Sequence, residues 1–336
     1  MPIVIRSRPV GAECRAAKVY NETIMRIIPI VLPTPYPVGP VNAYFLPGPP
    51  ATLVDCGPRT PEARAALEAG LAAAGIGLAG IERLVLTHGH VDHFGLAATV
   101  AAASGCRVYA HAAEVPKLAL DRSFIGPMRT LLAEAGFPAS TGDRLLEVLR
   151  RYRDQFEPVA PTDLVTDGDR LSLADGDLTV LHTPGHAQGH IGLWDGRVLI
   201  AGDLLLEEIS PNPLVEFGPD GARLRTLPAL IRSLERVVAL DPAVAYPGHG
   251  DPLERPAARA REVIRHHEAR EAHLAAVLAE RPHTLREIAA AWFPGLEEMN
   301  LILGLSEVLG HLDLLEAHGR LAAERRNGVV YFSLAA

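Results

Sequence analysis

The alternation of apolar and polar positions divides the chain into a part with many short strands and a part with long helices. Runs rich in Val, Ile and Leu recur up to about residue 250, and helical patterns lie between several of them. Such alternation is typical of a layered α/β domain. The runs that predict strands are Arg26–Leu32, Val41–Leu46, Thr52–Asp55, Arg83–Leu86, Arg107–Ala110, Arg170–Leu173, Leu178–Leu181, Ile191–Trp194, Arg197–Ala201 and Ala243–Pro247.

One stretch inside this part, residues 114–160, has a mostly helical pattern. We interpret it as a helical insertion over one edge of the α/β core. An Asp195-Gly196 pair between two strand patterns predicts a tight hairpin turn. Residues 1–24 contain no apolar segment of the kind that secretory signals have, and they are interpreted as an N-terminal extension.

A proline-punctuated stretch near residue 255 marks the predicted end of a domain that begins at Met25. The chain beyond it, residues 256–336, predicts three helices and a terminal hairpin with an Asn327-Gly328 turn. Thr284 and Glu287 have the spacing of a capping box at the start of the second helix. Three helices followed by a hairpin are the layout of a winged helix-turn-helix.

The composition mainly excludes classes of protein. Of the 336 residues, 48% are hydrophobic and 21% charged, which argues against a disordered chain. The net charge of −8 leaves no global basic field for nucleic acid or an anionic membrane. No apolar run reaches the roughly 18 residues of a membrane span, and three dispersed cysteines without a CxxC pair indicate a reducing compartment. We therefore expect a cytoplasmic protein without a membrane partner.

The candidate chemistry is concentrated in the segment 87–93, THGHVDH, directly after a predicted strand. A loop at a strand end can turn two of its ligand-type side chains toward one point and two toward an adjacent point, which suits two metal ions. Nitrogen and oxygen ligands without cysteine favour Zn²⁺ or another borderline metal. The ligand-type residues in this segment and at three later strand ends are His88, His90, Asp92, His93, His186, Asp203 and His249.

The order HxHxDH, TPGH, GD and GH resembles the metallo-β-lactamase superfamily over roughly residues 25–255. The resemblance implies an α/β fold, the αββα sandwich, in which two mixed sheets pack back to back with helices outside. The C-terminal part, by its layout, is similar to the winged-helix appendage of a subgroup that includes the lactamase-β-like 2 protein and glyoxalase-II-like hydrolases. It is expected to pack against the catalytic domain, to cover the cleft or to support a homodimer.

By the same resemblance, the seven ligand-type side chains would hold two metal ions, with one aspartate bridging them. The implied sets are His88, His90 and His186 for the first ion, Asp92, His93 and His249 for the second, and Asp203 as the bridge. Asp55 is expected to support the ligands from behind. His190 is either a second supporting residue or a donor that faces the substrate. The expected cofactor is two Zn²⁺ per chain, with iron or manganese as alternatives.

Two metal ions of this kind lower the pKa of a shared water toward about 7, so a metal-bound hydroxide could attack a carbonyl carbon or a phosphorus. Asp92 is predicted to be catalytic, because it would both bind the second metal and accept or orient the proton of the nucleophile. The aspartate at position 203 stands where the commonest zinc β-lactamases have cysteine, which argues against antibiotic hydrolysis.

The choice of substrate therefore lies within the glyoxalase-II-like chemistries, with a thioester or a lactone favoured as a small-molecule substrate. The alternative is an endoribonuclease or phosphodiesterase of the lactamase-β-like 2 type. From Thr284 to Ala336 there are four arginines and seven acidic residues, a net charge of −3. This is the reverse of a nucleic-acid footprint, so RNA is the less favoured partner.

Overall fold

Two β-sheets form the centre of the computed structural model, which describes residues 25–153, 156–295 and 298–335. The predicted N-terminal extension lies outside the described residues. The strands of the first sheet, β1 to β6, are Ile28–Leu32, Val41–Leu46, Thr52–Val54, Arg83–Val85, Arg107–His111 and Asp163–Val165. They lie in chain order across the sheet, antiparallel from β1 to β3 and parallel from β3 to β6.

The second sheet is mainly antiparallel. Its strands, β7 to β11, are Arg170–Leu173, Gly176–His182, Ile191–Trp194, Val198–Gly202 and Val244–Pro247. Their spatial order is β11-β10-β9-β8-β7, and only the β10–β11 pair is parallel. The predicted turn joins β9 to β10, where Asp195 Oδ1 accepts the backbone N–H of Val198 at 2.6 Å.

An apolar layer joins the two sheets, and helices cover their outer faces. Val54 and Val85 of the first sheet share a buried cluster with Val180 and Leu193 of the second. The helices, α1 to α10, are Pro61–Ala73, Val91–Phe94, Ala97–Ser104, Val115–Leu118, Ile125–Glu134, Ala139–Arg153, Thr226–Leu240, Pro256–Glu280, Leu285–Trp292 and Glu298–Ala317. Helices α1 and α3 pack on the first sheet, and α7 and α8 pack on the second. This arrangement confirms the predicted αββα sandwich.

The insertion is helical, as predicted, but its main apolar partners differ from the expectation. Leu132 of α5 and Leu146 of α6 belong to a buried cluster with Leu278 of α8 and Leu305 of α10. The apolar stripe of an amphipathic helix requires a buried partner, but its pattern does not identify that partner. The insertion therefore shares a core with the C-terminal region instead of only covering an edge of the sandwich.

The C-terminal region has the helices and the hairpin that its pattern predicts. After α10, strands β13 and β14 at Leu321–Arg326 and Val329–Leu334 form the hairpin, and β14 also pairs with the short strand β12 at His283–Thr284. The capping box is confirmed, since Thr284 N donates to Glu287 Oε2 at 2.8 Å and Glu287 N donates to Thr284 Oγ1 at 3.2 Å. Among the described residues, no helix is long and apolar enough to cross a membrane.

Candidate metal centre

The loop after β4 begins with a set of hydrogen bonds to Asp55. Because β3 and β4 are parallel neighbours, Asp55 and the residues after Val85 emerge at the same edge of the first sheet. The carboxylate of Asp55 accepts the backbone N–H of Thr87 at 2.8 Å and its hydroxyl at 2.7 Å. Asp55 has a φ of 57°, a left-handed conformation that aspartate tolerates better than most residues. These bonds fix the start of the segment 87–93, the motif loop.

Two groups of three side chains converge beyond the strand ends. Within each group, the ligand atoms lie within 4.8 Å of one another. Both groups combine residues of the motif loop with one histidine from the end of the second sheet. The first ligand group is His88, His90 and His186, and the second ligand group is Asp92, His93 and His249.

The carboxylate of Asp203 lies between the two ligand groups. Its Oδ2 is 3.5 Å from His186 Nε2 of the first group and 3.6 Å from His249 Nε2 of the second. Its Oδ1 is 3.4 Å from His93 Nε2. A Cβ atom at Gly248 would lie 2.1 Å from that Oδ1, so only glycine leaves room for the carboxylate at this position. Asp203 is therefore placed where a single carboxylate can reach both groups.

Three histidines of the centre each have one ring nitrogen bonded and the other without a partner. Their Nδ1 atoms are held at 2.8–2.9 Å by the carboxylate of Asp55 and by the backbone carbonyls of Asn212 and Pro40. Their Nε2 atoms, and Asp203 Oδ1, are buried without a hydrogen-bond partner. The three histidines are His93, His186 and His249. A ligating histidine holds one nitrogen in this way and turns the other toward the ion, so these residues fit divalent metal ions.

The electrostatics of the centre favour the ligand forms of most of these side chains. Burial lowers the pKa values of His88 and His90 well below the ordinary value, which keeps both rings neutral. Burial opposes ionisation of Asp203, but His93 and His249 outweigh it and hold the pKa of that carboxyl well below its usual range. For His93, burial is outweighed by the surrounding carboxylates, and its pKa is raised well above the ordinary value. Metal binding at His93 must therefore displace a proton.

His190 is buried behind Asp203 and accepts a hydrogen bond from its backbone. Its ring has no exposed surface. His190 Nε2 accepts the backbone N–H of Asp203 at 3.1 Å, and Nδ1 is 2.8 Å from Thr183 Oγ1. Burial lowers the pKa of His190 to about 3, so the ring is neutral. The ring therefore lies behind Asp203, with a polar partner at each of its nitrogens.

Several supporting groups were missed by the sequence analysis. Pro40 and Asn212 hold their histidines through backbone carbonyls, which leave no signal in the residue type. Glu114 is a buried carboxylate within 2.6 Å of the motif loop, yet it lies 25 positions from its partner Gly89. The glycines beside the ligand histidines were the only sequence signal that pointed to it, because they indicate a close approach of another group.

A further histidine cluster between α8 and α10 is satisfied by its own hydrogen bonds. His267 Nε2 is 2.8 Å from Ser210 Oγ, and His267 Nδ1 is 3.3 Å from His311 Nε2. His311 Nδ1 lies 2.7 Å from the backbone carbonyl of Glu307, which accepts its proton. Burial lowers the pKa of His267 to about 2 and that of His311 to about 3. Two neutral histidines in a hydrogen-bonded chain therefore account for this cluster.

The comparisons with known proteins agree with this fold. The family model of the metallo-beta-lactamase superfamily matches residues 36–249, and the chain belongs to that superfamily. The probable metallo-hydrolase YqjP of Bacillus subtilis is 35% identical over 316 residues, which cover 91% of this chain and 97% of the relative.

Solved structures of two superfamily proteins are similar over nearly the whole chain. The metallo-beta-lactamase family protein TTHA1429 of Thermus thermophilus has a TM-score of 0.80 at 31% identity and covers 92% of this chain and 98% of its own. A beta-lactamase domain protein of Burkholderia ambifaria has a TM-score of 0.74 at 25% identity, with 91% and 92% covered. The similarity therefore includes the insertion and the C-terminal region, not only the family domain.

Proposed function

We propose that the protein is a metal-dependent hydrolase that holds two metal ions and cleaves a carbonyl ester, either a thioester or a lactone. The observation that supports this best is the carboxylate of Asp203, which faces unpartnered Nε2 atoms of both ligand groups. The name of the relative, probable metallo-hydrolase YqjP, is consistent with the proposal. Zinc is the proposed metal because the ligand atoms are histidine nitrogens and carboxylate oxygens, with iron or manganese as alternatives.

Two divalent ions at this centre would polarise the scissile carbonyl and make a shared water acidic. The chain's own groups supply the remaining steps. Asp92 Oδ2 lies 3.5 Å from His249 Nε2, and the side chain of Asp92 is 14% exposed, so a substrate can approach it. Burial opposes ionisation of Asp92, but His93 and His249 outweigh it and lower the pKa of the carboxyl. An ionised carboxylate here can accept the proton of the nucleophile as it forms its bond to carbon.

Cleavage of RNA is the second candidate, and the ion pairs of the C-terminal region weigh against it. The arginines on and beside the hairpin that would contact phosphates are each within ion-pair distance of a carboxylate. These pairs are Arg320–Glu271 at 3.6 Å, Arg325–Glu134 at 2.7 Å and Arg326–Glu324 at 2.6 Å. Neutralised arginines contribute less to phosphate binding, which depends on the release of counterions.

The proposed organisation is a catalytic domain at residues 25–255 and a winged-helix-like domain at residues 256–336. The contacts of α10 with α7 support a role in covering one side of the sandwich, since Gly310 of α10 lies directly against Leu227. A homodimer and a cytoplasmic location stay predictions.

The proposed function is tested by metal analysis and a substrate panel on one zinc-loaded preparation. We expect about two metal ions per chain by mass spectrometry. We also expect a higher kcat/KM on an acyl thioester or a lactone than on single-stranded RNA. Efficient RNA cleavage without turnover of either ester would favour the second candidate, and a chain that retains no metal in excess zinc would contradict both.

A further inference from the structure

Glu114 is a buried carboxylate that joins two separate loops of the metal centre. It ends the 3₁₀ turn Ala112–Glu114, just before α4, and it is 1% exposed. Its Oε2 accepts the backbone N–H of Gly89 at 2.6 Å, and its Oε1 accepts the backbone N–H of Gly189 at 2.6 Å. Each oxygen of one side chain is therefore committed to a different loop.

Both loops have glycine where the carboxylate approaches. A Cβ atom at Gly89 would lie 2.8 Å from Glu114 Oε2 and 2.8 Å from the Cβ of Lys117. A Cβ atom at Gly189 would lie 2.8 Å from Glu114 Cγ and 3.0 Å from its Oε1. Neither glycine has a left-handed φ, so backbone freedom does not explain them. They are explained by the space that Glu114 occupies.

The two glycines lie among the histidines of the first ligand group. Gly89 stands between His88 and His90, and Gly189 follows His186 by three positions. We propose that Glu114 is a positioning residue for metal binding, a clamp that fixes the separation of the two loops from which the first ligand group is built. The inference rests on the proposed metal binding, and it concerns how this chain holds its ligands in register.

The neighbours of Glu114 keep it ionised and extend the clamp. Lys117 Nζ is 3.0 Å from both oxygens of Glu114 and also pairs with Glu216. Glu216 Oε2 accepts the backbone N–H of Gln188 at 2.8 Å, so the loop of His186 is held by two carboxylates. Burial opposes ionisation of Glu114, but Lys117 outweighs it and the pKa of the carboxyl is lowered. Buried charges persist when they are paired and hydrogen-bonded, as these are.

Two substitutions separate the charge of Glu114 from its reach. Glu114→Gln keeps the length but turns an NH₂ group toward one glycine N–H or the other, so one loop loses its acceptor. Glu114→Asp keeps the charge but is one methylene shorter and cannot reach both loops at 2.6 Å. A clamp predicts that both variants weaken metal binding, whereas a purely electrostatic role predicts that Glu114→Asp resembles the unsubstituted protein.

The measurement is an equilibrium titration of the apoprotein with zinc against a chromophoric chelator. We expect one of the two zinc dissociation constants to rise about 10–100-fold in both variants, in the range found when groups behind metal ligands are removed. Activity on the ester substrate should return toward the original kcat as free zinc is raised, because the clamp acts on ligand geometry and not on the substrate. Glu82→Gln is the matched control, since Glu82 Oε2 accepts the backbone N–H of Ala51 at 2.7 Å away from the centre.

The outcomes distinguish the clamp from the proposed function. If the unsubstituted protein binds two zinc ions and Glu114→Asp binds them equally well, the clamp is wrong and the proposed function stands. If the unsubstituted protein binds no zinc, both fail. If Glu114→Gln does not fold, Gly189→Ala provides the same test, because its added Cβ displaces Glu114 while every charge remains. Unchanged zinc affinity in a folded Gly189→Ala protein would overturn the clamp.

Discussion

Replacing Asp55 with asparagine should weaken metal binding by the second ligand group, because it affects which ring nitrogen of His93 carries the proton. Asp55 Oδ2 is 2.8 Å from His93 Nδ1, so the ring donates from Nδ1 and presents an unprotonated Nε2 toward Asp203 when a metal is bound. The asparagine side chain has nearly the same shape and also tolerates the left-handed φ of this position. The change therefore removes an acceptor and a charge without creating a cavity.

The magnitude follows from the two orientations that the new amide can adopt. If its NH₂ group replaces Oδ2, it faces His93 Nδ1, and the ring must move its proton to Nε2, where a metal would bind. If the NH₂ group replaces Oδ1, it faces the backbone N–H of Thr87, which is bonded to Asp55 at 2.8 Å. A buried donor without an acceptor costs about 1–3 kcal/mol, equivalent to roughly a 5- to 150-fold change in affinity. We therefore expect one zinc dissociation constant to rise about 10–100-fold.

The assay is zinc competition at equilibrium, accompanied by the melting temperature of the apoprotein. Asp195→Asn is the control, because Asp195 accepts two backbone N–H groups in the β9–β10 turn and lies outside the ligand groups. We expect the control to bind zinc as the original chain does. If Asp55→Asn also binds both ions with unchanged affinity, the assigned role of Asp55 is refuted.

Three further predictions concern the same centre and the histidine cluster. Asp203→Ala should lose both metal ions or most activity, because the carboxylate faces both ligand groups, and metal content after dialysis checks this. Asp92→Asn should lower kcat by roughly 100-fold or more, within the range of general-base catalysis, with metal content measured in parallel. Burial lowers the folded pKa values of His267 and His311 to about 2 and 3. Below the unfolded pKa of about 6.5 the unfolded chain therefore binds more protons than the folded one, and the free energy of unfolding decreases as the pH is lowered. The two histidines together should change the free energy of unfolding by at most about 2.7 kcal/mol per pH unit. Denaturant unfolding at pH 7 and pH 5.5 should show a smaller loss of stability at the lower pH when both residues are replaced by glutamine.

The proximity of the residues of the candidate metal centre was predictable from the sequence, because ligand-type residues follow directly after apolar strand patterns. The segment 87–93 follows β4, His186 follows β8, and Asp203 follows β10. Strands that end at one side of a sandwich bring such residues together. The convergence of the ligand atoms within each group, which lie within 4.8 Å of one another, thus depends on strand positions. Strand positions are the part of the fold that hydrophobic patterns describe well.

The supports of the ligands were not predictable in the same way. The carbonyls of Pro40 and Asn212 belong to loops, and any residue type presents the same carbonyl group. Glu114 ends a short 3₁₀ turn at the start of the insertion, and the helical pattern of that segment does not indicate where its side chain points. The partner of the insertion was missed for a related reason, because the apolar stripe of α6 shows that a partner is needed but not that it is the helix α10.

One of these supports, the loop that contains Asn212, connects the C-terminal region to the candidate metal centre. Asn212 receives the Nδ1 proton of His186 on its backbone carbonyl, and its side chain donates to the carbonyl of Leu303 in α10 at 3.0 Å. Three residues on, Val215 N donates to Ser306 Oγ of the same helix at 3.1 Å. The orientation of one ligand histidine therefore depends on where α10 packs. A helix that fixes the loop behind a proposed metal ligand is part of the support of the candidate metal centre, even though it supplies none of the side chains of the ligand groups.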